Sequence, residues 1–137
     1  MAVLDRLGLT ADPVFLMDGT AFIYRAFFTG RSMQRSDGFP TNVIVGVARL
    51  LLRILREEKP KYFLFVRDGH EKTFRHTLYP DYKANRFATP EDLVRQIEPV
   101  TRFVSALGLA QEETHGFEAD DCMASIADRF AATNPVI

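Results

Sequence analysis

The sequence predicts an α/β fold, with a parallel central sheet and helices on both of its faces. Three observations carry this. Two short apolar runs, over 14–17 and 62–66, each lead directly into Asp-Gly, the form of a buried strand that ends in a turn. Segments of helical period follow them, over about 41–58, 91–107 and 118–132. Strand and helix therefore alternate, which favours parallel strands joined by helical crossovers. At 137 residues, 47% hydrophobic and with twelve Phe, the chain suits one domain with its own core.

The elements follow in order. Residues 1–12 read as a loose start. The first strand covers 14–17 and ends at Asp18-Gly19. Thr20 is placed to cap a short helix through Tyr24 and Phe28. The stretch 29–40 carries two Gly and one Pro and reads as loop. Thr41 caps a helix to about Glu58, with Val43, Val47, Leu50, Leu51 and Ile54 at helical spacing, and Pro60 stops it. The second strand covers 62–66 and leads into Asp68-Gly69. Residues 67–90 have little period, and a connection of that length is usually functional or disordered. Pro90, Glu91 and Asp92 open a helix that runs to Leu107, where Gly108 ends it. Residues 109–112 read as a short strand and 118–132 as a helix. Pro135, Val136 and Ile137 read as the beginning of a further strand, so the sheet is expected to be incomplete at the C-terminus, with an open edge through which copies would associate.

The net charge of −1 is unevenly spread. Residues 1–90 hold fourteen Lys and Arg against nine Asp and Glu, and residues 91–137 hold three against nine. A basic part that attracts phosphates beside an acidic part that holds metal would suit a metal-assisted nuclease, although ordinary surface variation gives the same asymmetry. The single Cys122 has no partner for a disulfide, which fits a reducing cytoplasm. No signal peptide is visible, and no apolar run reaches the roughly 18 residues needed to span a bilayer.

The acids are the sharpest feature. Asp18 and Asp68 each follow a strand, and residues just past the C-terminal ends of parallel strands meet on the edge where ligands of open α/β sheets bind. Taken singly, each reads as a cap or turn residue; two on one edge weaken that reading. Glu118, Asp120 and Asp121 stand together at the start of a helix. The helix dipole favours acids there, but three exceed what capping requires. Glu118 and Asp121 share a face, and Asp120 lies about 100° around the helix from Asp121. Five carboxylates on one edge repel unless cations sit between them, which points to hard divalent metal and phosphate chemistry. His70, His76 and His115 lack the paired spacing of a zinc site. The phrase FLMDGT resembles the DxDGT signature of haloacid-dehalogenase-like phosphatases, but Leu16 stands where their nucleophilic Asp would be, and that reading is rejected.

The segments FLMDGTAFIYRAFF, GFPTNVIVG, KTFRHTLYPDYKANR, TPEDLVRQIEPV and ALGLAQEETHGFEADD together resemble the N-terminal 5′-nuclease domain of bacterial DNA polymerases I, within the flap endonuclease family. The resemblance runs from about Val14 to Phe130 and implies a PIN-like 5′-nuclease core. It implies that Asp18, Asp68, Glu118, Asp120 and Asp121 bind Mg²⁺ or Mn²⁺, as two ions. Arg25 would stand near the active-site phosphate. Lys83 and Arg86 would form the foot of an arch over 67–90 and clamp the scissile phosphate. Tyr82 would stack on a terminal base and Arg75 would hold the strand. The mixed basic and aromatic content of 67–90 agrees, since charge suits a single-stranded backbone and rings suit its bases.

By the same resemblance, residues 1–137 form the N-terminal part of a cytoplasmic 5′-3′ exonuclease and flap endonuclease acting on DNA with 5′ ends or flaps in replication and repair. Downstream nuclease and polymerase regions would follow in cis, and no membrane is involved. Three positions depart from the family pattern. Arg67 replaces an aromatic, Gly69 an Ala, and Phe39 an acid. A non-catalytic DNA-binding fragment and a self-associating truncated domain are the rival readings.

Overall fold

A computed structural model describes residues 7–9, 11–84 and 88–137. Strand β1 (Val14–Asp18) leads into helix α1 (Gly19–Thr29), and α2 (Asn42–Glu57) returns the chain to β2 (Tyr62–Arg67). A short helix α3 (Phe74–Leu78) precedes α4 (Glu91–Ala106), β3 (Ala110–Glu113) and α5 (Ala119–Phe130). The sheet is parallel in the order β1-β2-β3, with Asp18 opposite Val66 and Arg67 opposite Glu113. Residues 135–137 add to the outer edge of β1, where Val14 N–H donates to the Pro135 carbonyl and Leu16 N–H to that of Ile137. The further strand read from the sequence thus pairs here, and the edge of β1 is covered along that stretch.

Alternation along β1 and β2 divides the core. Met17 and Phe65 point into a cluster with Ile23 of α1, Val43, Val47 and Leu51 of α2, and Leu93, Val100 and Val104 of α4. The opposite face packs against α5, and Leu16 and Leu64 line a cavity there with Ile126 and Phe130 of that helix. Helices therefore cover both faces, as the sequence predicts. Fully burying a Leu or Phe stabilises by about 1.5–3 kcal/mol, so this cluster outweighs any surface ion pair in holding the sheet edge in place.

Three local expectations are corrected. The Asp18-Gly19 pair is not a turn: β1 runs straight into α1, and Asp18 rather than Thr20 caps it by accepting from the Ala21 N–H at 2.9 Å. Gly19 is required by close approach, because a Cβ there would strike the buried ring of Phe65. Periodicity predicts no regular element over 67–90, yet α3 forms within it. Its start is held by His76, whose Nδ1 accepts from the Thr73 N–H at 3.1 Å, a contact that has no hydrophobic period to announce it.

Candidate active site

The C-terminal ends of β1 and β2 and the start of α5 converge on a cleft of about 920 Å³ lined by Asp18, Asp68, Glu118, Asp120, Lys83 and Tyr24. Four of the five predicted acids therefore share one cleft.

Asp68 is held from three sides. Its N–H donates to Thr20 Oγ1 at 2.8 Å, its Oδ1 accepts from the Ala119 N–H at 2.8 Å, and the next residue, Gly69, donates to the Phe117 carbonyl at 3.0 Å. This clasp explains Gly69, since a Cβ there would meet the Thr114 carbonyl. It also gives Thr20 a task that the sequence did not announce, joining the start of α1 to the end of β2. Arg67 likewise has a partner: it pairs with Glu113 across the β2–β3 register at 2.7 Å. Phe39 lies under the guanidinium groups of Arg35 and Arg95.

Electrostatics separate the acids. Burial pushes the Asp18 carboxyl up; the Ala21 N–H opposes this, and the charges of Asp68 and Asp120 add to it. Burial also pushes Glu118 up, but the Lys83 ammonium and the Tyr82 hydroxyl outweigh it and the net shift is downward. Tyr82 donates to both Glu118 oxygens at 3.0 and 3.1 Å, and Lys83 pairs with Oε1. Asp121 takes no part in lining the cleft. The Arg75 guanidinium grips both of its oxygens at 2.6 and 2.7 Å and, with the Glu118 N–H, holds its carboxyl down to about 2.

The remaining predicted residues lie apart or outside. Arg25 is exposed on α1 and lines the neighbouring groove between α1 and α2 with Arg31, Arg49 and Arg53, not the acidic cleft. Arg86 lies outside the described residues. Beside the acids stand Tyr24, whose hydroxyl meets Thr89 Oγ1 at 2.8 Å, and Phe28, which is exposed at the cleft. Neither ring is in the sequence-based site; the signal was their spacing of one helical turn, four residues apart, on the helix that follows Asp18.

A hard divalent cation suits this donor set. The donors are carboxylate oxygens, and the mutual repulsion of Asp18, Asp68 and Asp120 is what a cation would relieve. Their spacing does not yet enclose one: among the described residues, no group of three His, Cys, Asp or Glu side chains could hold a metal ion. No helix among the described residues is long and apolar enough to cross a membrane.

Comparison with known proteins gives the family and supports the fold. Residues 13–137 match the family model for the 5′-3′ exonuclease N-terminal resolvase-like domain. A 5′-3′ exonuclease of Aquifex aeolicus is 37% identical over 118 residues, covering 86% of this chain and 41% of the relative. DNA polymerase I of Deinococcus radiodurans is 43% identical over 115 residues, covering 84% of this chain and 12% of the relative. The chain thus spans well under half the length of either. In fold it resembles the T5 D15 protein co-crystallised with metal ions, at a TM-score of 0.57 and 18% identity, over 89% of this chain and 45% of that one. T5 5′-exonuclease with bound zinc gives a TM-score of 0.56 at 14% identity, over 88% of this chain and 45% of that one. With the acids gathered at the strand ends and a family model matched from residue 13 to residue 137, the chain belongs to the 5′-3′ exonuclease family, as its N-terminal resolvase-like domain.

Proposed function

We propose that this chain carries the acidic half of a metal-dependent 5′-3′ exonuclease and flap endonuclease that hydrolyses DNA phosphodiester bonds in replication and repair, with further nuclease and polymerase regions in cis. The observation that carries the reading is the cleft in which Asp18, Asp68, Glu118 and Asp120 meet Lys83. Two ions of Mg²⁺ or Mn²⁺ would be held by Asp18, Asp68, Glu118 and Asp120, with Asp121 joining if freed from Arg75. Bound there, such ions supply an activated water and neutralise charge on the leaving oxygen.

The chain's own residues supply the rest. Lys83 brings an ammonium to the cleft, where it would stabilise charge on the phosphate. Tyr24 and Phe28 offer rings beside the acids, on which an unpaired base at a DNA end would stack. Arg25, on the adjacent groove, would meet backbone phosphates outside the reaction centre. The arch expected over 67–90 would steer the strand through Arg75, Tyr82 and Arg86. None of these contacts reads base sequence, so specificity would come from ends and branches.

The test is cleavage of a 5′-labelled flap DNA with Mg²⁺ or Mn²⁺, with Asp68→Ala as control. Metal-dependent cutting that is lost in the variant is expected. A folded chain that binds the flap but cuts nothing in either metal would favour a second reading, binding without turnover. That reading draws on the engagement of Glu118 and Asp121 by basic side chains.

A further inference from the structure

Five carboxylates near one sheet edge require positive charge among them, and this chain supplies it internally. Glu118 faces Lys83, both of its oxygens accept from the Tyr82 hydroxyl, and Arg75 stands 3.8 Å away. Asp121 is taken up by the Arg75 fork. The three donors come from one segment, residues 75–83, which lies over the start of α5. Its internal contacts keep it there. The His76 ring meets the Tyr82 ring edge-on at 5.3 Å between centroids, and the Lys83 ammonium lies 5.1 Å from the centre of that same ring. Lys83 adopts a left-handed backbone at φ 58°, unfavourable for a residue with a Cβ and sustained where surrounding contacts fix it.

These groups sit where metal ligands are expected. A fork that satisfies both oxygens of a carboxylate leaves it little capacity to coordinate an ion at the same time. Of the acids that line the cleft, Glu118 is the one so engaged among the described residues, while Asp18, Asp68 and Asp120 make no hydrogen bond or ion pair with this segment.

We infer that Arg75, Tyr82 and Lys83 form a displaceable internal counter-charge, and that divalent metal and this basic segment compete for Glu118 and Asp121. The inference rests on the reading of these acids as metal ligands. Competition makes the coupling reciprocal: whatever the segment takes from metal affinity, metal takes from the attachment of the segment. Metal loading thus frees two cations and an aromatic ring beside the cleft, where a phosphate backbone and a base can use them. By the same reciprocity metal and DNA favour each other's binding, and an empty site keeps its basic residues turned inward.

The test titrates Mn²⁺ without DNA into the 137-residue chain by calorimetry, for the parent, Arg75→Ala and Tyr82→Phe. Removing a competitor is expected to tighten Mn²⁺ binding about fivefold or more in Arg75→Ala, the low end of ordinary coupling between linked sites. Tyr82→Phe keeps the ring against His76 and removes only the hydroxyl; a smaller change in the same direction is expected, and it carries the test if Arg75→Ala fails to fold. In parallel, Mg²⁺ is titrated while ring NMR signals are followed; the chain has four Tyr and no Trp, so Tyr82 is assignable by its Phe variant. Saturating Mg²⁺ is expected to shift the Tyr82 ring. Equal or weaker Mn²⁺ affinity in both variants, or a Tyr82 ring unmoved by saturating Mg²⁺, overturns the displacement. Failure of the parent and every folded variant to bind Mn²⁺ overturns the metal-nuclease reading together with it.

Discussion

Asp18 ends β1 with one carboxylate oxygen on the Ala21 N–H and with Asp68 and Asp120 in electrostatic reach. The cap favours the folded chain, whereas burial and the neighbouring charges oppose the ionised form. Because the folded carboxyl is raised above its ordinary value of 3.8, Asp18 favours folding most at low pH, and that contribution is lost as pH rises through the folded value. At pH 7 the ionised side chain is a net burden. Asp18→Asn keeps the capping oxygen and removes the charge. In metal-free buffer its urea midpoint at pH 7 is expected above the parent's, with the gap narrowing as pH falls into the carboxylate range, while flap cleavage is lost. At this scale the sequence was informative about which acids come together, since Asp18 and Asp68 follow strands, Glu118 and Asp120 open a helix, and these four share one cleft. It was silent on what neutralises them. Lys83 and Glu118 are 35 residues apart and Arg75 and Asp121 are 46 apart, and no local pattern links such positions.

Helix α2 begins without a side-chain cap of its own, because Thr41 makes none. Gln96 of α4 supplies it from outside. Fully buried, it accepts from the Val43 N–H at 2.9 Å and the Ile44 N–H at 3.4 Å, and it donates to Asn42 Oδ1 at 3.0 Å and the Asp92 carbonyl at 2.9 Å. A leucine of similar size would fill the space and leave buried N–H groups unpaired. Gln96→Leu is therefore expected to lower unfolding free energy by about 2–3 kcal/mol in urea titrations. The helices themselves were legible, because Val43, Val47 and Leu51 repeat at helical spacing and Pro90 with two acids opens α4. Gln96 was not, because a buried amide inside an amphipathic helix reads like any polar residue until the neighbouring helix is in place. Helix α3 was missed for a related reason: five residues whose central imidazole reaches back to Thr73 show no period to detect.

Across the whole molecule, charge gathers in two adjoining concavities that do not follow the uneven spread along the sequence, since Asp18 and Asp68 of the acidic cleft come from the basic stretch. Arg25, Arg31, Arg49 and Arg53 line the groove between α1 and α2, and none of them has an ion-pair partner among the described residues, whereas the acids gather at the strand ends beside it. Flap-DNA affinity is expected to fall with salt, and the double variant Arg49→Gln, Arg53→Gln is expected to flatten the slope of log K against log salt by about two, one counterion for each lost phosphate contact. An unchanged slope would remove this groove from the DNA path. The parallel sheet was legible from the alternation of elements; the side-by-side placement of the two charge fields needed the packing of α1 between them. The pairing of residues 135–137 with β1 has a consequence for biosynthesis. β1 leaves the ribosome before the other described strands, but one of its edges is closed only when residues more than a hundred positions later emerge. Throughout that interval the nascent strand carrying Asp18 presents unpaired N–H and C=O groups, and it is in this window that a chaperone has most to protect.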